Sequence, residues 1–228
     1  LYDLYSDAYT PWEWHHELFE RAKSKGMEFF STPFDVAAIR FLTDLRVSMM
    51  KVASFEITDP NFIFEVASAG LPTAISTGIA RESEIAEAVD ACRRSRNDKI
   101  IITQCSSVYP AKLSDANLRT MVDYRTKYGC LVGYSDHTLG EAAAMAATAL
   151  GAVLVEKHFI LDKNLDSPDA PFSMDPSEFK AMVSNVRSIE EALGNVAYTL
   201  SAEEEASRAF ARSLFVVVDV AAGEFLSD

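Results

Sequence analysis

Apolar residues in this chain fall into two alternating rhythms. Short runs that are apolar on both faces read as buried strands over 28–30, 49–54, 72–75, 99–104, 130–134 and 152–155. Between them the spacing lengthens to that of amphipathic helices, clearest over 82–94, where Ile85, Ala88, Val89 and Cys92 share one stripe. Helices are also predicted after Asp35, from Asp59-Pro60 to near Gly70, over 118–127 and over 141–150. Asp175-Pro-Ser-Glu178 reads as a capping box that launches another helix to Gly194. For the first helix, Thr10 is the expected cap, Pro11 the first helical residue and Glu13 the far side of a capping box, with Gly26 as terminator.

The strand ends fall near residues 31, 54, 76, 105, 135 and 158, a repeat of βα units that implies a parallel sheet. Six units suit an open doubly wound sheet, or a (β/α)8 TIM barrel whose first two units precede Leu1. The barrel is preferred because all six strand ends carry polar residues; an open sheet concentrates chemistry at its switch point. After Gly194 the pattern changes. A charged helix begins at Ser201, an apolar run over 213–218 reads as a strand, and 222–224 as a turn. The expected division is a barrel domain over 1–194, a linker helix over 195–211, and the start of a small β domain over 212–228.

Composition narrows the picture. The chain has 228 residues, 49% of them hydrophobic, enough for one sizeable core. It begins with Leu1, which suggests a fragment. No apolar run is long enough to be read as a membrane span. A net charge of −13 argues against a nucleic-acid surface, although a local pocket can still be basic. Cys92, Cys105 and Cys130 lack CxxC spacing, and so sparse a set points to a reducing, cytoplasmic setting.

The candidate chemistry centres on Val132-Gly-Tyr-Ser-Asp-His-Thr-Leu-Gly140, a strand that ends in Ser135, Asp136 and His137 just before a helix. His158 follows one βα unit later. Each histidine alone could be a hydrogen-bonded, partly buried residue; together, just beyond two strands, they suggest a metal site with positions open to water and substrate. Lys51 lies within an apolar strand and needs a partner. Ser54, Ser76 with Thr77 and Gly78, Ser106, Ser107 and Ser135 all follow strands, where hydroxyls and backbone N–H groups can hold an anion. Their alternative role is helix capping. Glu56 and Asp169 are candidate acids or bases, with a Glu56–Lys51 salt bridge and a loop turn as the respective structural alternatives. Asp136 is expected to orient its neighbours or cap a helix. Strand alternation turns Lys157 away from His158, toward the helices.

These stretches resemble, in order and spacing, the sialic acid synthase family: Phe30-Ser-Thr-Pro-Phe-Asp35, Lys51-Val-Ala-Ser-Phe-Glu56, Ser76-Thr-Gly78, Cys105-Ser-Ser-Val-Tyr-Pro110, Tyr134 to Gly140 and Glu156-Lys-His-Phe159. The resemblance implies a (β/α)8 barrel followed by a small antifreeze-like (SAF) domain. It also implies condensation of phosphoenolpyruvate with an N-acylated aminosugar. Leu1-Tyr-Asp-Leu-Tyr5 and Tyr9-Thr-Pro-Trp-Glu-Trp14 look most like the pseudaminic-acid-forming branch. The alternatives within the family are the N-acetylneuraminate and legionaminate branches. By the same resemblance His137 and His158 hold a divalent metal, usually Mn2+, with Mg2+ or Co2+ possible. Thr32, Lys51, Ser54, Ser76, Ser107 and Ser135 line the phosphoenolpyruvate site, and Glu56, Tyr109 and Asp169 face the sugar. Ser107 replaces an Asn of some relatives. A homodimer is implied in which the SAF domain reaches the partner's site. The family's residues on the first two strands, and the SAF arginine, lie outside this chain, so the segment alone is expected to be inactive. Rival readings are a Schiff-base aldolase using Lys51 and a non-catalytic sugar-binding barrel.

Overall fold

The computed structural model describes residues 9–225; the expectation built on Leu1 to Tyr5 lies outside them. The chain divides into two units, Leu1–Leu193 and Gly194–Asp228. In the first, five parallel strands alternate with helices: β1 Met50–Val52, β2 Thr73–Ser76, β3 Ile100–Cys105, β4 Leu131–Asp136 and β5 Leu154–Lys157. The helices are α1 Trp12–Ser24, α2 Val36–Leu45, α3 Pro60–Ser68, α4 Glu82–Arg94, α5 Arg119–Tyr128, α6 Ala142–Ala149 and α7 Pro176–Leu193. The strand expected at 28–30 shrinks to a single bridge between Ser31 and Met50. That segment has β1 on one side, bonded through Ser48 N to Phe29 O at 3.2 Å and Lys51 N to Ser31 O at 3.2 Å.

Local chemistry explains most helix starts. Asp35 accepts from Ala38 N at 2.7 Å, and Asp59 from Asn61 N and Phe62 N at 3.1 and 3.0 Å. Asp175 and Glu178 form the expected capping box, Glu178 N to Asp175 Oδ1 at 2.9 Å and Asp175 N to Glu178 Oε2 at 3.1 Å. The first helix departs from expectation. Its N-cap is Pro11, which offers no side-chain acceptor, so Glu13 falls at the second helical position, one short of a capping box. Gly26 closes that helix with a φ of 69°.

The strands lie in sequence order, β1 to β5, with no reversal. A doubly wound sheet reverses; an arc of barrel does not. The sheet is also curled. Four strand spacings put β1 and β5 about 19 Å apart in a flat sheet, beyond the combined reach of two side chains. Yet Lys51 on β1 is ion-paired with Glu156 on β5. This is a half-barrel.

Strand register then sorts the side chains. On the convex face Met50, Val52, Ile75, Ile102, Val132 and Tyr134 pack against Ile63 and Val66 of α3, Val89 of α4 and Met121 of α5, forming the core. The concave face carries Lys51, Ser76, Thr103, Cys105, Ser135 and Glu156, alternate residues of the same strands.

In the second unit Ser201 and Glu204 form a capping box at the start of α8 Ala202–Ser207. The expected strand over 213–218 is absent: these residues are exposed and unpaired, since the described part of this unit holds no other strand to bond. Glu224 N bonds Ala221 O at 3.1 Å, closing the expected turn. No described helix is long and apolar enough to cross a membrane.

Candidate active site

The C-terminal ends of the strands converge on the concave face. Lys51 Nζ donates to Glu156 Oε1, and Ser135 Oγ donates to the same oxygen at 3.2 Å. With side chains 17% and 29% exposed, the Lys51–Glu156 pair is partly buried yet open to the mouth. The sequence offers Glu56 as a salt-bridge partner for Lys51; the carboxylate that pairs with it is Glu156. The sequence did signal this residue, since a glutamate directly after the apolar run 153–155 must face away from the core, but alternation names no partner 105 residues away.

Beside this pair lies a small cradle. Ser54 Oγ accepts from Gly78 N at 3.2 Å and touches Cys105 Sγ at 3.3 Å. A Cβ on Gly78 would stand 2.2 Å from Ser107 Oγ, 2.9 Å from Cys105 Sγ and 2.9 Å from Ser54 Oγ. Ser107 Oγ is buried without a hydrogen-bond partner, and so is Glu56 Oε2. Buried polar atoms normally find partners, so two orphans, one beyond β1 and one beyond β3, suit a polar ligand. Burial raises the pKa of Glu56, against the opposing pull of its own backbone N–H and of Lys51.

Thr32, half-buried, lies one residue past the bridge at Ser31. Ser76 is on the concave face, but its hydroxyl is engaged with Thr103 Oγ1 at 3.0 Å and the residue is buried. Thr103, which no sequence motif marks, thus shares the floor of the site.

The two histidines meet at the ends of β4 and β5. Their ring centroids are 5.3 Å apart, and the ring of Tyr109 lies 4.2 Å from His137 and 5.9 Å from His158. His137 Nδ1 is 2.6 Å from Ser106 O, which can only accept, so Nδ1 carries the proton. His158 Nδ1 is 3.2 Å from Asp169 Oδ2, so Asp169 steadies a histidine. Each Nε2 is left with a free lone pair for a ligand, the second-sphere pattern common to metal-binding imidazoles. Burial lowers the pKa of His137, which favours the neutral form that can ligate, although its bond to Ser106 opposes that. Among the described residues no group of three or more His, Cys, Asp or Glu forms a cation cage. The two Nε2 lone pairs are what the site would offer a divalent ion.

Asp136 and Lys157 face the other way. Asp136 Oδ1 accepts from Thr138 N and Thr138 Oγ1, both at 2.8 Å, so it orients its neighbours as anticipated. Lys157 is buried on the side opposite His158, bonded to Asp136.

The model of the NeuB family matches residues 1–198. The chain belongs to the NeuB family. Two pseudaminic acid synthases are similar over its whole length: that of Campylobacter jejuni is 42% identical over 228 residues, and that of Helicobacter pylori 44% over 229. The chain spans 66% and 67% of their lengths. Among solved structures, the N-acetylneuraminic acid synthetase of Leptospira borgpetersenii, in complex with citrate, matches with a TM-score of 0.80 at 32% identity. That match covers 89% of this chain and 72% of the other. NeuB membership accounts for the strand-end motifs occurring together, and the structural match agrees with the curled parallel sheet.

Proposed function

We propose that this chain forms most of the catalytic barrel of a pseudaminic acid synthase. The reaction condenses phosphoenolpyruvate with 2,4-diacetamido-2,4,6-trideoxy-altrose and water, giving pseudaminic acid and phosphate. The whole-chain similarity to two pseudaminic acid synthases carries this reading, above the 32% identity to a neuraminic acid synthetase. An N-acetylneuraminate or legionaminate synthase is the alternative. A reducing cytoplasm suits three buried free cysteines. A homodimer completed by an SAF domain belongs to the same reading.

Lys51, Ser54, Ser107 and Ser135 bind the phosphoenolpyruvate, and the small cradle beside Gly78 sets its depth. Thr32 and Ser76 support the same pocket. Holding both substrates in one orientation removes much of the entropic cost of their meeting. The methylene carbon of phosphoenolpyruvate bonds to the aldehyde carbon of the open-chain sugar. Water adds at C2, and the bond from C2 to the phosphate oxygen breaks. Glu56, its pKa raised by burial, exchanges a proton with that water through Oε2. Tyr109 and Asp169 face the sugar. His137 and His158 would hold a divalent ion, Mn2+ or else Mg2+ or Co2+, and the ion would supply Lewis-acid polarisation of the aldehyde oxygen.

The ion pair of Lys51 with Glu156 disfavours a Schiff-base aldolase, which needs a free amine. The assay uses full-length protein, phosphoenolpyruvate, Mn2+ and either the altrose- or the mannose-configured sugar. Phosphate release that requires the altrose sugar supports the proposal. Release without sugar, or a preference for N-acetylmannosamine, overturns it.

A further inference from the structure

The ends of β4 and β5 are joined by a pair of charges on the side turned away from the site. Asp136 and Lys157 are register partners, each the last residue of its strand. Their side chains are 0% and 1% exposed, with Lys157 Nζ 2.8 Å from Asp136 Oδ2. The network is saturated. Lys157 also donates to Thr138 O and, at 2.9 Å, to Gly140 O, while Asp136 Oδ1 accepts twice from Thr138.

A buried ion pair is a weak stabiliser, because desolvation offsets most of the attraction, and an apolar pair of similar size holds strands together as well. What an ion pair adds is direction: its bonds are satisfied in only one register. The residue that follows each strand is a histidine. His137 is held between Asp136 and Thr138, both tied to the network, and His158 directly follows Lys157. Alternation turns the histidines to the concave side while the charge pair is clamped on the convex side.

We propose that the Asp136–Lys157 pair is a positioning device that fixes the separation of the two imidazoles, and thereby the protein's affinity for a divalent cation. This rests on the reading of His137 and His158 as metal ligands. Neither Asp136 nor Lys157 touches the reacting atoms; both act through the histidines.

The test titrates full-length protein, stripped of metal by a chelator, with Mn2+. Binding is followed by calorimetry and by the paramagnetic resonance of free Mn2+. Lys157→Met leaves Asp136 buried without its partner and can unfold the chain. Asp136→Asn is therefore measured beside it: it is isosteric and keeps an acceptor for Thr138. Circular dichroism and thermal unfolding establish that a variant is folded before its affinity is compared. Folded variants are expected to bind Mn2+ at least about tenfold more weakly, the size of effect that residues supporting metal ligands have. Raising Mn2+ should then restore kcat. A folded Asp136→Asn that binds Mn2+ within about twofold of the unaltered protein overturns the proposal, whatever its Tm. His137→Ala separates two failures. If it binds Mn2+ as the unaltered protein does, the two-histidine reading falls and the proposal with it. If it abolishes binding while Asp136→Asn does not weaken it, only the positioning role falls.

Discussion

Lys51 and Glu156 stand on the first and fifth strands of the sheet and close an ion pair across its concave face. The carboxylate holds the ammonium at the mouth before any substrate arrives, and Ser135 is held by the same oxygen. An anion entering the site thus meets a cation already in place. Lys51→Met should lower kcat/KM for phosphoenolpyruvate by about 2–3 kcal/mol, roughly 30- to 150-fold, the scale of one charge-assisted hydrogen bond. Steady-state kinetics on the full-length protein checks this, with most of the loss expected in KM.

Gly78 is needed for space. The three side-chain atoms within 3 Å of an added Cβ are those of Ser54, Cys105 and Ser107, the walls of the proposed phosphate cradle. Gly78→Ala should cost about 1–3 kcal/mol of stability through overpacking, and raise KM for phosphoenolpyruvate more than KM for the sugar. Thermal unfolding and a two-substrate kinetic matrix separate the effects.

Glu56 links pH to both stability and turnover. Burial raises its pKa in the folded state, so the fold holds this proton more tightly than the unfolded chain does. The associated stability is present below the ordinary glutamate range and is lost as pH rises through the folded pKa. Glu56→Gln, which cannot ionise, should therefore gain in Tm over the unaltered protein as pH increases across that window, while turnover falls sharply. Parallel Tm-versus-pH curves that never converge or separate would contradict the assignment.

Asn97 tests the scaffold apart from the site. Its buried side chain donates to Ala67 O at 2.9 Å and Leu71 O at 2.8 Å, and accepts from Lys99 N at 3.0 Å, tying the end of α3 to the entry of β3. Asn97→Ala should cost about 2–4 kcal/mol, because three backbone groups lose a partner. Urea unfolding should show a lower midpoint at unchanged slope, with kcat at 25 °C unaffected.

The sequence showed most clearly what short-range chemistry determines. Asp35, Asp59 and Asp175 cap the helices they precede, and the helix predicted over 82–94 runs from Glu82 to Arg94. The first helix was misread by one residue, because a cap depends on which φ/ψ pair breaks first and Pro11 took that place from Thr10. The run over 213–218 has strand composition, but a strand is a property of pairs, and the described residues offer it none. Site partners were the least legible. Thr103 is what Ser76 bonds, Glu156 what Lys51 bonds, and Asp169 sits on His158. Alternation gives each residue a face, and only the curl of the sheet brings opposite strands within reach.

The two faces of the sheet also divide the effects of mutation. Along each strand one residue in two belongs to the convex core, where Val52, Ile75, Ile102 and Tyr134 are almost wholly buried, and the next belongs to the mouth. Changes at the apolar members of the first set should shift melting temperature and leave substrate preference alone; changes at Lys51 and Glu156, the partly exposed members of the second, should alter substrate binding more than melting temperature. A library in search of new sugar acceptors therefore belongs beyond the strands, at exposed loop positions such as Tyr109 and Asp169, where neither the convex core nor the phosphoenolpyruvate cradle is disturbed.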